Sequence, residues 1–206
     1  MHFAQRVRAF LRRPLYGKLQ QLSTALVRLR TMVYYRWVFG RIGKGCLIGR
    51  PLFLNNPGNI FLGDRVAIRK GARLEAITPF PHRRPELRIG SDVSIEQNIH
   101  IVCQSRISIG DRVSISANCC ILDTSHPFDD PRENQPIVTR LRDEDSFVEV
   151  GEGTLIGYGS VILPNVRIGK YAVIGALTVV DRDVPDYGIV RGNPARLLHI
   201  YRTHSN

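Results

Sequence analysis

Aliphatic residues return every six positions along most of the chain. From Ile42 the steps fall on Ile48, Leu54 and Ile60; shifted by two, they continue through Leu62, Ile68 and Leu74. After a break the series resumes at Ile89, Ile95, Ile101 and Ile107, shifts to Ile109, Ile115 and Ile121, and after a longer break runs from Val150 through Ile156, Ile162, Ile168 and Ile174 to Val180. These positions take 15 of the 20 isoleucines. The next residue is often glycine (Gly43, Gly63, Gly90, Gly110, Gly151), and a small or β-branched residue often follows four later (Cys46, Ala72, Val93, Thr154, Ala172). A period of six fits neither a 3.6-residue helix nor the two-residue alternation of a half-buried strand. It predicts a coil whose flat sides each send one aliphatic chain inward before a corner. Three sides make a turn of about 18 residues, and stacked turns pair as parallel strands. The glycines are expected to supply corner backbone geometry closed to other residues. The two-residue shifts read as corner bulges, and segments 75–88 and 122–149 as excursions from the coil.

Ahead of the coil the period changes. Leu15, Leu19, Leu22, Leu26, Leu29 and Val33 recur at three- and four-residue steps, predicting a helix over about 15–38 with one apolar face. Residues 1–13 predict a short basic amphipathic helix ended by Pro14.

Charge sharpens this division. The 206-residue chain has a net charge of +11, yet the first acidic residue is Asp64, and eleven Lys/Arg precede it. The excess therefore lies in the front segment, and the body is neutral. The structural reading of the front helix is a cap on the first turn or packing on a neighbouring subunit; the functional one is contact with an anionic membrane surface. Nucleic acid is not an expected partner, because no binding motif accompanies the charge. Cys46, Cys103, Cys119 and Cys120 show no metal-ligand spacing and are expected as reduced thiols. With no signal-peptide pattern, the expected location is the cytoplasm or the cytosolic, inner face of a membrane.

The repeat over 42–180 closely resembles the hexapeptide-repeat acyltransferase family. The stretch IGALTVVDRDVPDYGIVRGNPAR (174–196) is similar to the family's C-terminal acetyltransferase signature. The resemblance implies an all-β, left-handed parallel β-helix over 42–184, between a basic helical extension (1–41) and a tail (185–206). It also implies acetyl-CoA as co-substrate, no metal, and a homotrimer with its active site between neighbouring coils. The basic extension resembles the subgroup acting in cell-surface polysaccharide assembly, so the expected acceptor is a saccharide hydroxyl.

The chemistry would rest on His126. In Asp123-Thr124-Ser125-His126-Pro127 the chain leaves a coil turn for a long polar loop, and the family's sugar O-acetyltransferases place their catalytic base in a His-Pro at this point. An imidazole, with an ordinary pKa of ~6.5, can take a hydroxyl proton near neutral pH. The oxyanion formed on the thioester would need a backbone N–H donor. Asp123 is the candidate to orient the imidazole, a job a backbone carbonyl could also do. Asn98 is the candidate on the acceptor side, against a plain corner asparagine. The resemblance points to Tyr158, Ala176, Arg182 and Arg196 for CoA; Asp181, where the family usually has Thr, departs from the pattern. Alternatives are acetyl transfer to another small acceptor (serine, an amino-sugar, an antibiotic) and a non-catalytic binding coil. A zinc lyase would need a third histidine beside His100 and His126. Covalent catalysis by a cysteine lacks a marked base.

Overall fold

The computed structural model describes residues 14–127 and 136–201. The expected helix over 1–13 lies outside them, as does part of the long loop after His126. Helix α1 (Leu15–Arg30) runs through a widened turn, Thr31–Tyr35, into α2 (Arg36–Val38), matching the expected helix. Its contact with the coil uses the face opposite the leucine stripe. Thr31 and Tyr35 are buried against the first turn, and the Thr31 hydroxyl accepts the Ile48 N–H at 3.0 Å. Phe39 packs edge-on against Tyr35. The stripe itself stays exposed, from Leu15 to Val33.

Every third strand of the body pairs in parallel, so the chain coils around three sheets. Sheet A holds β1 (Arg41–Ile42), β4 (Ile60–Leu62), β7 (Glu86–Ile89), β10 (Arg106–Ile109), β13 (Phe147–Val150) and β16 (Val166–Ile168). Sheet B holds β2 (Leu47–Ile48), β5 (Ala67–Ile68), β8 (Ser94–Ile95), β11 (Ser114–Ile115), β14 (Leu155–Ile156) and β17 (Val173–Ile174), then β19 (Gly188–Arg191) and the antiparallel β20 (Arg196–Ile200). Sheet C holds β3 (Phe53–Asn55), β6 (Arg73–Ala76), β9 (His100–Cys103), β12 (Cys120–Leu122), β15 (Val161–Ile162) and β18 (Val179–Val180). Each period-six aliphatic points into the coil. All are buried except Ile42 and Leu54 in the first turn, which rest partly buried on the core.

Three sequence expectations change. The two-residue shifts are not corner bulges: Ile60 with Leu62, and Ile107 with Ile109, lie within single strands of sheet A that send alternate residues inward. Leu87 with Ile89 and Val166 with Ile168 do the same. The repeat glycines do not carry the unusual corner backbone. That falls to residues such as Arg65 (φ 56°), Asp92 (58°), Asn98 (58°) and Asn118 (59°). The glycines instead permit close stacking of turns: a Cβ on Gly63 would lie 2.7 Å from the Gly90 carbonyl carbon. Third, position 185 does not end the coil. Val184 bridges to Ile168 and β19 pairs with β17, after which β20 folds back along the edge of sheet B.

The excursions are shorter than expected, because β6 runs to Ala76, β7 begins at Glu86 and β13 begins at Phe147. Both leave the end of sheet C and return at the start of sheet A. They meet at His82, whose Nε2 is 3.1 Å from Asp143, and at Arg83, which pairs with Asp143 and, at 2.5 Å, with Asp145. Among the described residues no helix is long and apolar enough to cross a membrane.

Candidate active site

His126 stands just beyond β12, at the root of the second excursion, and is exposed. Its Nδ1 lies 2.9 Å from the Arg140 carbonyl oxygen, on the returning limb of the same excursion. A carbonyl can only accept, so Nδ1 carries the proton and the neutral ring keeps its lone pair on Nε2. That is the form a base requires.

Asp123 does not orient this ring. Its carboxylate is buried (1% exposed) and turned toward the preceding coil turn. Oδ1 accepts the Gln104 N–H at 2.6 Å, and Oδ2 accepts those of Ser105 at 2.8 Å and Arg106 at 2.7 Å. Burial pushes the carboxyl up, against the opposing effect of these N–H groups. Asp123 thus ties down the 103–106 corner, and the orienting acceptor is the Arg140 carbonyl. The main chain of a loop fourteen residues away leaves no side-chain signal to read. A second tie runs beside it: Gln104 accepts from the Thr124 hydroxyl at 2.7 Å and donates to the Arg142 carbonyl at 2.7 Å.

The remaining candidates divide between the two edges of sheet C. Asn98 precedes β9 at the corner between sheets B and C, in left-handed backbone, with its side-chain oxygen over Gly71. Asn118 sits one turn above, since Cys120 pairs with His100, and its Nδ2 donates to the Tyr158 hydroxyl at 2.7 Å. The Leu177 N–H donates to the Tyr158 carbonyl at 2.8 Å, so Tyr158 and the 176–177 pair stack one turn apart along this corner. Ala176 and half-exposed Tyr158 therefore share one open edge with Asn98. Arg196 reaches the same edge at the start of β20, directly across from Arg191. Both arginines are exposed and, among the described residues, have no ion-pair partner. Arg191 was missed in the sequence because the motif drew attention to Arg196 alone.

Arg182 lies elsewhere. It follows β18, at the other edge of sheet C, and its guanidinium is bound by Asp181 at 2.9 and 3.1 Å. The departure at position 181 thus occupies the expected phosphate ligand. His126 follows β12 on that same far edge. Within one chain, the fold separates His126 from Asn98, Tyr158, Ala176 and Arg196 by the width of sheet C.

A further cluster lies on the outer face of that sheet. Buried Glu75 pairs with Arg73, and His100 Nε2 is 3.8 Å from the Glu75 carboxylate. Burial, and then the Arg73 charge, push the imidazole toward its neutral form, and its Nε2 makes no hydrogen bond. No group of three or more metal-ligating side chains occurs among the described residues. The four cysteines are unpaired; Cys46, Cys103 and Cys119 are buried, and burial pushes every one of the thiols up, away from the nucleophilic form.

The coil itself is shared with known proteins. Residues 147–182 match the family model of the bacterial transferase hexapeptide (six repeats). The chain is 28% identical over 178 residues to a putative lipopolysaccharide biosynthesis O-acetyl transferase of Escherichia coli, covering 84% of each protein. Its fold is similar, at TM-score 0.69 and 24% identity, to AntD, an N-acyltransferase from Bacillus cereus solved with dTDP and 3-hydroxybutyryl-CoA, over 82% of this chain and 86% of that one. It is also similar to a hexapeptide-repeat acetyltransferase from Vibrio cholerae complexed with acetyl coenzyme A, at TM-score 0.58 and 23% identity, over 91% and 85% of the two chains.

Proposed function

We propose that this chain, a hexapeptide-repeat acyltransferase, moves the acetyl group of acetyl-CoA to a hydroxyl of a saccharide, on a cell-surface polysaccharide or its precursor, with His126 as general base. The observation that carries the reading is the Nδ1 contact of His126 with the Arg140 carbonyl, which leaves Nε2 as the proton acceptor. Nε2 takes the hydroxyl proton as the acceptor oxygen attacks the thioester carbonyl carbon. A C–O bond forms, and the negative charge moves to the former carbonyl oxygen, where a backbone N–H of the coil stabilises it. The C–S bond then breaks, and the CoA thiolate takes the proton back from His126. Because both substrates must be held together, much of the rate gain is alignment.

CoA would lie along the corner between sheets B and C, with its pantetheine arm past Tyr158 and Ala176 and its phosphates at Arg191 and Arg196. Asn98 shares that corner, so an acceptor contact from it would reach the His126 of another copy. The split of these residues across sheet C supports a homotrimer in which one copy's corner faces the next copy's His126. The coils, like those of the family this chain resembles, would wind left-handed. The reaction would take place in the cytoplasm. The test is transfer of labelled acetyl from acetyl-CoA across a panel of oligosaccharides and nucleotide-sugars, with the His126→Ala variant beside it. Transfer to one acceptor, lost in the variant while CoA binding persists, is the expected result. Near-normal turnover without His126 would overturn the assignment of the base.

A further inference from the structure

The leucine stripe of α1 has no partner in the fold. Leu15, Leu19, Leu22, Leu26, Leu29 and Val33 are 52–73% exposed, and beyond them Trp37 is 86% exposed. The helix is already held to the coil by its opposite side, through Thr31 and Tyr35. The apolar face is therefore open to solvent, with Leu26, Leu29 and Val33 overhanging the sheet B groove, where a helix stabilised only by its own domain would place polar residues.

Basic residues border the stripe on both sides. On one side a groove of about 750 Å³ between α1 and sheet B is lined by Leu26 and Val33 and by Arg30, Arg50, Arg69 and Lys70. The Arg30 Nε is buried without a hydrogen-bond partner. Among the described residues Arg50 and Lys70 have no carboxylate partner, while Arg69 is 3.6 Å from Glu96. On the other side, Arg28, Arg36 and Lys44 edge a second groove beside Met32. No Asp or Glu occurs in residues 1–63.

We infer that α1 is a docking helix for an anionic lipid bilayer: the stripe enters the acyl–headgroup boundary, and the two basic margins meet lipid phosphates. An apolar face flanked by cations, too short and too polar to span, is the form of a helix that lies in the interface. Stripe-to-stripe pairing of two copies fits less well. Stripe against stripe would bring Arg28 and Arg36 toward their own equivalents, with no acidic residue in the first 63 to offset them. The inference does not depend on which acceptor is acetylated.

The experiment is sedimentation of the full chain with vesicles of three parts phosphatidylcholine to one part phosphatidylglycerol, and with phosphatidylcholine alone. The expected result is pelleting with the anionic vesicles, release in high salt, and little binding to the neutral ones. Leu22→Glu with Leu26→Glu should weaken anionic binding about tenfold or more while leaving the melting temperature and the mass by light scattering unchanged. Arg28→Gln with Arg36→Gln, which keeps the stripe, should reduce the preference for anionic vesicles. Wild-type protein left in the supernatant, or a stripe variant that pellets as before, overturns the inference. So does a stripe variant of lower mass, because the face would then be a contact between copies.

Discussion

The Nδ1 of His126 is held 2.9 Å from the carbonyl oxygen of Arg140, so the ring is oriented by the main chain of the excursion that carries it. The two residues respond differently to substitution. His126→Ala removes the base and should lower kcat by about 10²–10⁴-fold, the usual contribution of a positioned acid–base group. Arg140→Ala keeps the carbonyl and should stay within about threefold of wild type on that scale. Steady-state kinetics with a saccharide acceptor measures both. A comparable collapse in the two variants would show that the Arg140 side chain acts in the reaction itself.

Asp123 sits three residues from His126, but its chemistry is structural. Asp123→Ala leaves the N–H groups of Gln104, Ser105 and Arg106 without their acceptor and should cost about 2–4 kcal/mol of stability. Asp123→Asn should cost less, and its penalty should depend on pH. Burial raises the native carboxyl above its ordinary value, so the folded protein holds this proton more tightly than the unfolded chain. This contribution to stability is full below the unfolded pKa and falls as pH rises through the native one. Asparagine does not titrate, so the gap between wild type and Asp123→Asn should narrow from acid to neutral pH. Thermal melts at both ends test this, and a widening gap would refute it.

The glycines make a paired test of why the coil needs them. A Cβ on Gly90 would lie 2.8 Å from backbone atoms of the next turn, whereas one on Gly58 meets nothing within 4 Å. Gly90→Ala should therefore destabilise by about 1–3 kcal/mol, as forced overpacking does. Gly58→Ala should be neutral or stabilising by up to about 1 kcal/mol, through loss of unfolded-state freedom. Denaturant melts distinguish them, and equal effects would remove close stacking as the reason for glycine in the repeat.

The ladder from Ile42 to Val180 was legible in the sequence because an inward side chain recurs whenever the chain repeats the same side. Its register survives both excursions, since each leaves and rejoins at one corner. What the ladder could not reveal is contact that depends on neighbouring turns. Asp123 and His126 are close in sequence, but Asp123 faces the preceding turn and His126 the returning limb of its own excursion. Arg191 and Arg196 are read apart along the motif but meet across β19 and β20. The role of the Arg140 carbonyl belongs to loop geometry and leaves no trace in residue type. The leucine stripe was visible as a helical face, but only the packing of Thr31 and Tyr35 shows that it turns outward.

The Arg191–Arg196 pair yields a prediction specific to the nucleotide end of the co-substrate. Two exposed guanidinium groups across adjacent strands can grip phosphate oxygens that a single one would hold loosely. Their loss should weaken attraction to the phosphates of acetyl-CoA while leaving the thioester end untouched. Arg191→Gln with Arg196→Gln is therefore expected to raise KM for acetyl-CoA about tenfold, with kcat nearly unchanged, as loss of uniform binding does. Acetyl-pantetheine, which lacks the nucleotide, should show the same kcat/KM with variant and wild type. A fall in kcat/KM for both donors would place the arginines in the transfer step; no change for either would place the phosphates elsewhere on the coil.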